Sequence, residues 1–401
     1  MTALRILHVV PYYEQAWAYG GIPRLVTTMT RALARRGHQV TVCTTDVRDE
    51  RTRASSIGPS AHGVDVRMFP NVSNAVAYHL QFFTPIGLRA HLKHTAAAFD
   101  IAHVHACHNL PGVIAATELS RAGVPYVVSP NGTARPIERR VLAKRVFALT
   151  AGRRMLADAA RVIAVSRAER EQLQALGVKA PAIADIPNPI DEREFDRIPD
   201  GAGFRATLEV GRRPVLLFLG KLTARKGVDH LVRSFASLDR PEAVLIVAGN
   251  DMGAGAAIDS LVRSLGLGGR VLRPGLLTGT GRLDALAAAN VVIYPSRDEV
   301  FGLVPLEALL CGTPVVVCDD SGCGEVITAT GGGRVVPHGN PQALSDAIES
   351  ILTNEPLWRR RALAAGNVAR QLFGADVVCR QLEALYEGVL AEGVRRRRIP
   401  A

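Results

Sequence analysis

A chain of 401 residues exceeds what one hydrophobic core typically supports and predicts two domains. No apolar run approaches the roughly 20 residues that span a bilayer, and the start of the sequence turns polar too soon for a signal peptide, so we expect a cytoplasmic protein. The net charge of +11 fits phosphorylated substrates or an anionic membrane surface, whereas an aromatic content of 5%, never interleaved with basic stretches, argues against nucleic acid.

Short apolar strands alternate with helices through the first half of the sequence. Gly20 and Gly21 open a helix that runs to Arg36 and is stopped by Gly37. Ser166 and Glu169 have the spacing of a capping box at the start of a later helix. The predicted strands are residues 5–10, 39–44, 64–69, 101–105, 126–129 and 162–165. Strands separated by helices predict a parallel sheet that is covered on both faces.

The pattern breaks at residues 186–191, where two prolines exclude a helix, and then restarts. Further strands are predicted at residues 215–219, 244–248, 291–294 and 314–318, with a helix over residues 226–236. We therefore predict an α/β protein with two doubly wound, Rossmann-like domains, at residues 1–188 and 189–375. Residues 376–401 are predicted to form a helix and a basic tail, and packing of this helix on the first domain is one arrangement open to it.

The cysteines and the arginine-rich tail have ordinary explanations. The tail, residues 395–398, is interpreted as a frayed, solvated end, and contact with anionic lipid headgroups is the alternative. The six cysteines contain no Cys-x-x-Cys pair, which predicts reduced core residues. They are Cys43, Cys107, Cys311, Cys318, Cys323 and Cys379.

Two carboxylates, Glu299 and Glu307, stand in a segment that is otherwise largely apolar. Burial of a carboxylate is unfavourable unless the group is paired or hydrogen-bonded, and an ionised carboxylate accepts hydrogen bonds from ligand hydroxyls. A helix predicted to start near Leu303 offers free backbone N–H groups for a phosphate. The pattern indicates a nucleotide-sugar site, and a solvent-facing glutamate on an amphipathic helix is the alternative for Glu307.

Basic residues follow the first strand of the second domain. Lys221, Arg225 and Lys226 lie before a predicted helix, whose dipole favours anions at that end. An external diphosphate would explain these cations, and ordinary surface residues are the alternative. Gly20 and Gly21 hold the corresponding place in the first domain, where glycines let the backbone approach a phosphate.

A cluster of histidines and one cysteine surrounds the fourth predicted strand. It consists of His103, His105, Cys107 and His108. On a strand, alternate residues point to one face, so residues 103, 105 and 107 would lie together. Because no second group of ligands with zinc spacing appears, we expect no metal ion here.

Taken together, these segments resemble the retaining glycosyltransferases of family 4, which have the GT-B fold of two facing Rossmann-like domains with a cleft between them. The resemblance spans nearly the whole chain. It is carried by the glycine pair, the Lys-Gly motif that ends at Gly227, the Glu-x7-Glu element with Phe-Gly inside it, and the Pro-Asn-Pro linker.

The resemblance implies a role for each matching residue. Glu299 would contact donor-sugar hydroxyls, Glu307 the nucleotide ribose, and Lys221 with Lys226 the diphosphate. Lys221 stands where the family usually has arginine, which keeps the charge but loses the bidentate fork. The residues assigned in this way to the donor nucleotide sugar are Gly20, Gly21, Lys221, Lys226, Glu299, Phe301, Gly302, Leu303, Val304 and Glu307.

The implied reaction is glycosyl transfer with retention from a UDP or GDP sugar, without a metal or other cofactor. The catalytic residues expected are Glu299, Lys226, Lys221 and Asn131. Asn131 is a departure, since many family members carry a histidine there, and an asparagine hydrogen-bonds but cannot act as a general base. His105 and His108 are assigned to the acceptor side.

The function that follows is transfer of a hexosyl group to a glycan or a lipid-linked acceptor, in surface polysaccharide or glycolipid synthesis. The protein would act in the cytoplasm or at the inner face of the membrane, without nucleic acid. Two alternatives remain: a GT-B epimerase of nucleotide sugars, and a non-catalytic protein that binds nucleotide sugars or a membrane surface.

Overall fold

The computed structural model describes residues 2–55, 63–135 and 152–398. The chain divides into two compact units. The first unit runs to Pro189 and resumes at Ala375, and the second unit is Ile190–Gly374. The chain therefore passes between the units twice. Within the second unit, the backbone N–H of Ile190 donates to the Phe373 carbonyl at 2.8 Å.

The first unit is built on a parallel sheet. Its strands are β1 (Arg5–Val9), β2 (Gln39–Thr45), β3 (Val64–Phe69), β4 (Ile101–His105), β5 (Tyr126–Ser129), β6 (Arg161–Ala164) and β7 (Ile183–Asp185). Its helices are α1 (Gly21–Arg35), α2 (Asn74–Leu80), α3 (Leu88–Thr95), α4 (Leu110–Ala122), α5 (Arg153–Ala157) and α6 (Arg167–Ala175). The strand order is β3-β2-β1-β4-β5-β6-β7, so the order reverses between β1 and β4.

The second unit repeats this design with six strands. They are β8 (Val215–Leu219), β9 (Val244–Ala248), β10 (Val271–Gly275), β11 (Val291–Tyr294), β12 (Val315–Cys318) and β13 (Gly333–Val336). The helices are α7 (Ala202–Thr207), α8 (Val228–Ala236), α9 (Gly255–Ser264), α10 (Gly279–Ala288), α11 (Leu303–Leu310), α12 (Gly322–Thr330), α13 (Pro341–Thr353) and α14 (Glu355–Phe373). The order is β10-β9-β8-β11-β12-β13, with the reversal between β8 and β11.

The prediction of two Rossmann-like, doubly wound sheets is confirmed. The central strands are buried on both faces, as β8 and β9 illustrate, since every residue of both is buried. In sheets of this kind the ligand crevice opens at the carboxyl ends of the strands, where the order reverses. Candidate functional residues are therefore expected next to β1 and β4 in the first unit, and next to β8 and β11 in the second.

Three strands and one helix start differ from the sequence prediction. The short strands β7, β10 and β13 were not among the predicted strands. The helix expected over residues 226–236 begins only at Val228, because Gly227 is left-handed with φ of 65° and separates it from a 3-10 turn at Ala224–Lys226. The six cysteines are buried and free, as predicted.

The final helix, α15 (Ala375–Arg398), belongs to the first unit. Glu383 on α15 is 1% exposed and accepts two hydrogen bonds from Arg36, at 2.6 and 2.7 Å. His38 Nδ1 accepts the backbone N–H of Leu4 at 3.1 Å, so its Nε2 is free to donate to Glu383 at 3.0 Å. The buried carboxylate therefore links α15 to the turn between α1 and β2.

Among the described residues, no helix combines the length and the apolar character needed to cross a membrane. The side chains of the arginine cluster at 395–398 lie outside the described residues, so the lipid contact suggested for them stays a prediction.

Glu383→Gln is expected to destabilise the first unit by about 2–3 kcal/mol, because it removes a buried charge that accepts hydrogen bonds from Arg36 and His38. Urea unfolding, read through hydrogen exchange of first-unit amides, measures this change. The matched control is Glu392→Gln on the same helix, since Glu392 is 48% exposed where it pairs with Arg161 and its loss should cost less than about 1 kcal/mol. Equal effects of the two substitutions would contradict the role given to Glu383.

Candidate active site

A buried lysine and a carboxylate meet where the second sheet reverses its order. Lys226 follows β8, is 4% exposed, and pairs through Nζ with Glu299 Oε2 and with the hydroxyl of Tyr294 at the end of β11. This approach requires Gly227, because a Cβ at that position would lie 2.3 Å from the Pro295 carbonyl oxygen. The glycine of the Lys-Gly motif thus lets one strand end pass close to the other.

The donors around Glu299 converge on one of its two oxygens. Oε2 accepts from Lys226, from Ser296 Oγ at 3.2 Å and from the Tyr294 hydroxyl at 3.3 Å, and Arg225 Nη1 lies 3.8 Å away. Within the part of the chain that the structure describes, no hydrogen bond reaches the other oxygen, Oε1. The side chain is 17% exposed, so Oε1 is an ionised acceptor turned away from the protein partners.

The charge on Glu299 is secured by its neighbours. Burial alone would raise the pKa of the Glu299 carboxyl, but Lys226 and Arg225, together with the hydrogen bond from Lys226, lower it to about 2. Lys221, beyond the end of β8, lowers this pKa further. The structure therefore brings Lys221, Lys226 and Glu299 into one electrostatic cluster, and Glu299 is an anion throughout the physiological pH range.

Helix α11 begins immediately after this cluster. Gly302 precedes it with φ of 83° and offers no side-chain cap to the first N–H groups. A Cβ at Gly302 would lie 2.5 Å from Cys323 Sγ, so a larger residue would not fit. Leu303 and Val304, predicted to bind phosphate through their N–H groups, open the helix and are half-buried. Phe301 is a core residue, 2% exposed and packed edge-on against Phe373 at 5.3 Å.

Glu307 lies in the interior of the second unit, so the solvent-facing alternative is wrong. It is 3% exposed and forms an ion pair with Arg282 of α10, which is 7% exposed and also donates to Glu194 at 2.6 Å. Arg282 supplies the cation that a buried carboxylate needs. Burial of Glu307 alone therefore no longer requires a ligand, and its ribose contact stays a prediction.

The partners of the two glutamates are the part of this site that sequence reasoning missed. Arg282 lies 25 residues from Glu307 and Tyr294 lies 68 residues from Lys226. The available signal was an arginine in a helix whose other residues, apart from Asp284, are mostly small or apolar, a setting in which a buried arginine needs an anion. Ser296 and Tyr294 were recognisable only as residues at the end of a strand.

Arg282→Met is expected to destabilise the second unit by roughly 3–5 kcal/mol, because it removes the arginine that pairs with the buried Glu307 carboxylate. Glu194→Gln is the matched comparison, since it removes the other partner of Arg282. The side chain of Glu194 is 42% exposed, so this substitution should lower the free energy of unfolding by less than about 1 kcal/mol. Denaturant unfolding of both variants measures the difference. An Arg282→Met protein as stable as the parent would show that Glu307 is compensated elsewhere.

The predicted residues of the first unit lie at the carboxyl ends of β1, β4 and β5. Gly20 has φ of 99° and precedes α1, whose first residue is Gly21. Asn131 follows β5 in the left-handed region with φ of 52°, and its Nδ2 donates to the Ser129 carbonyl at 3.3 Å. Its Oδ1 is buried and has no hydrogen-bond partner among the described residues. His108, with φ of 55°, donates from Nε2 to the Ala134 carbonyl at 2.8 Å.

His105 lies in the core rather than at a binding surface. It is fully buried, and its Nε2 is 2.9 Å from Nδ1 of His8 on β1. His103 beside it contacts the Tyr386 hydroxyl and Ser129 Oγ, each at 2.7 Å. The acceptor role predicted for His105 therefore has no geometric support. Cys107 lies past the end of β4 and does not continue the alternation expected from the sequence.

The three histidines are close enough to raise the question of a metal site. One ring nitrogen from each of His8, His103 and His105 lies within 4.8 Å of the other two. The rings of His103 and His105, however, stack with centroids 4.1 Å apart and planes at 22°. A metal ion lies in the plane of each imidazole that binds it, so two nearly parallel rings cannot share an ion without rotating. The geometry therefore does not favour a metal at this cluster.

The first unit is expected to lose stability in mild acid. Burial lowers the pKa of His8 to about 3 and the pKa values of His103 and His105 well below their usual range. The unfolded chain regains pKa values near 6.5, so below about pH 6.5 it binds protons that the folded unit does not, and stability falls as pH falls. Glu169, whose pKa burial raises to about 7, acts in the opposite direction but is a single group.

We expect a net loss of about 2 kcal/mol between pH 7.5 and 5.5, measured by urea unfolding of the first unit. His8→Asn should make this pH dependence shallower. A stability that is constant over this pH range would show that the three imidazoles are not held neutral by burial.

Two family models match the chain, and together they cover most of it. Residues 19–194 match the model described as Glycosyltransferase Family 4, and residues 203–368 match the one described as Glycosyl transferases group 1. Among similar curated proteins, the D-inositol 3-phosphate glycosyltransferase of Kineococcus radiotolerans is 32% identical, over 99% of this chain and 97% of its own. The protein of the same name from Frankia alni is 30% identical, over 93% and 95%.

Solved structures of the same fold include proteins crystallised with nucleotides. HepE of Anabaena in complex with UDP-glucose superposes with a TM-score of 0.78 at 22% identity, covering 96% of this chain and 100% of that one. Sucrose-phosphate synthase of Thermosynechococcus elongatus gives a TM-score of 0.76 at 23% identity, covering 97% and 100%. At these identities the likeness shows a shared fold.

Proposed function

Because this chain belongs to family 4 of the glycosyltransferases, we propose that it moves a hexosyl group from a nucleotide-diphosphate sugar to a hydroxyl of a glycan or a lipid-linked acceptor. We further propose that the configuration at the anomeric carbon is retained. In this reaction the bond from the anomeric carbon to the diphosphate breaks, the acceptor oxygen bonds to the same face of that carbon, and the proton of the acceptor hydroxyl passes to the departing diphosphate. Synthesis of surface polysaccharide or glycolipid is the setting that we infer by analogy with the family.

The observation that carries this proposal is the asymmetry of Glu299. Its Oε2 is surrounded by donors from Lys226, Tyr294 and Ser296, while Oε1 receives no hydrogen bond from the described residues. A rigid, permanently ionised acceptor at the strand reversal suits a sugar hydroxyl, since a hydroxyl donates one hydrogen bond to such an oxygen. A carboxylate bound in this way positions the sugar and does not serve as acid or nucleophile.

The diphosphate is proposed to lie against Lys226, Lys221 and the first turn of α11. The N–H groups of Leu303 and Val304 and the positive end of the helix dipole favour an anion there. As the bond to the sugar breaks, negative charge grows on the departing diphosphate, and groups already arranged around it stabilise that charge. This arrangement provides charge stabilisation from the protein itself, which supports our proposal that no metal is required.

The ribose and the first-unit contacts complete the proposed donor site. Glu307, oriented by Arg282, is proposed to accept hydrogen bonds from the ribose hydroxyls. The unpartnered Oδ1 of Asn131 is proposed to accept one from the donor sugar. Gly20 and Gly21 are proposed to bring backbone against the diphosphate.

The base and the acceptor are chosen by analogy. HepE was solved with UDP and with UDP-glucose, which supports a UDP sugar over a GDP sugar. The similar curated proteins are named for D-inositol 3-phosphate, so this compound joins the acceptor panel beside glycans and lipid-linked saccharides. An epimerase would convert the nucleotide sugar without any acceptor, and a binding protein would show affinity without turnover. Product analysis with and without acceptor therefore distinguishes a transferase from these two alternatives.

Binding and turnover of UDP, GDP and ADP sugars test the proposed donor site. Glu299→Gln is expected to lower transfer roughly 100-fold or more, because it removes a charge that holds the reacting sugar. The affinity of this variant for the nucleotide diphosphate alone should stay within about threefold of the parent. Lys226→Met, by contrast, should lower the affinity for both the nucleotide diphosphate and the nucleotide sugar. Calorimetric titration and a coupled transfer assay provide the two readouts.

Glu242→Gln, at an exposed position of the second unit, is the matched control and should behave as the parent. Full transfer activity in Glu299→Gln would remove the assignment of Glu299. Absence of binding to every nucleotide sugar by the parent protein would remove the proposed function as a whole.

A further inference from the structure

The loop after β5 is held in an unusual backbone conformation. Asn131 and Gly132 are both left-handed, with φ of 52° and 77°. Thr133 Oγ1 donates to the Pro130 carbonyl at 2.6 Å and accepts the backbone N–H of Cys107 at 2.6 Å, which ties the loop to the one that follows β4. Left-handed residues other than glycine persist only where surrounding contacts hold them, and they cluster at functional sites.

Glu169 is the residue that holds this loop from the other side. It is 1% exposed, its Oε1 accepts the N–H of Gly132 at 2.5 Å, and its Oε2 accepts the N–H of Val165 at 3.0 Å. In a capping box the side chain of Glu169 would turn back to the N–H of Ser166. Here only the other half of that motif forms, from the N–H of Glu169 to Ser166 Oγ at 3.1 Å. The carboxylate instead joins the loops that follow β5 and β6.

No cation compensates this carboxylate within the described part of the chain. On the same helix, Arg170 donates a hydrogen bond to Asp185 at 2.7 Å, and the side chain of Arg167 is 78% exposed. On the β4 side, the titratable group that faces Glu169 is the thiol of Cys107, whose pKa is raised first by burial and then by the charge of Glu169. The thiol therefore stays neutral, and in the part of the chain that the structure describes, backbone N–H groups alone favour the ionised form of the carboxylate.

We propose that Glu169 is a positioning residue for glycosyl transfer, whose two-point contact with Gly132 and Val165 holds Asn131 so that its unpartnered Oδ1 meets a hydroxyl of the donor sugar. This inference rests on the proposed function, through the role of Asn131. Protonation converts one acceptor oxygen into an O–H group that faces an N–H donor, so the contact holds the loop fully only while Glu169 is ionised. Activity therefore depends on pH through a group that does not touch the substrate.

Burial raises the pKa of Glu169 to about 7, so ionisation occurs in the range where enzymes are assayed. The carboxylate fraction grows as pH rises through this value. The turnover number of the parent enzyme is expected to rise with pH between about 6 and 8, while the Michaelis constant for the nucleotide sugar changes little. A turnover number that changes while the Michaelis constant does not points to positioning in the transition state rather than to donor binding.

The decisive variant is Glu169→Gln, which keeps the shape of the side chain and never ionises. We expect its turnover number at pH 8 to fall about 10- to 100-fold, as misplacement of a reacting group does, and the inflection near neutral pH to disappear. Glu169→Asp keeps the charge on a shorter side chain and should retain the inflection at reduced turnover. The matched control is Glu118→Gln, another buried first-unit glutamate, 4% exposed and paired with Arg89 and Arg121.

A readout independent of catalysis separates this inference from the proposed function. Hydrogen exchange at the amide of Gly132, expressed as a protection factor, should be high in the parent above pH 7, lower at pH 5.5, and low at all pH values in Glu169→Gln. The parent protein alone provides the pH series if a variant does not fold. Loss of protection without a change in the turnover profile would refute positioning, and unchanged protection would refute the contact itself, whether or not any sugar is transferred.

Discussion

The contact between Lys226 and Glu299 governs the carboxyl edge of the second sheet. An ammonium group buried to this degree is stable only with close acceptors, and Glu299 and Tyr294 supply them from the neighbouring strand end. Gly227 is required for the approach, and the start of α11 follows directly from the turn that carries Glu299. One interaction therefore fixes the cation, the anion and the helix end together, which is the pre-organisation that electrostatic catalysis needs.

The buried carboxylates of this protein are held in two different ways. Glu307 and Glu383 each pair with an arginine, which compensates the charge of the carboxylate. Among the described residues, Glu169 is held by backbone N–H groups alone, and burial leaves its pKa near neutrality. A carboxylate paired with an arginine is a permanent structural tie, whereas one held by backbone dipoles changes its state within the working range of pH.

Local patterns predicted the parts of this fold that local patterns determine. Strands with long apolar runs, such as β8, were placed within a residue or two, and the glycine-bounded turns around Lys226 and Glu299 were recognised. The strands β7, β10 and β13 have one buried residue each, with the others at intermediate burial or exposed, and carry too little apolar pattern to be distinguished from loops. Partners distant in sequence, such as Arg282 for Glu307 and His8 for His105, depend on strand order and helix packing, which a single sequence does not encode locally.

The return of α15 to the first unit dictates an order of events during synthesis. The ribosome completes residues 190–374 before it reaches Glu383 and Tyr386, so the second unit is whole while the first still lacks a helix. Throughout that interval the surface that α15 later covers, which includes Arg36, His38 and His103, stays uncovered. The unit whose synthesis begins first is thus completed last, and the surface that α15 later covers stays open to chaperones and proteases during this interval.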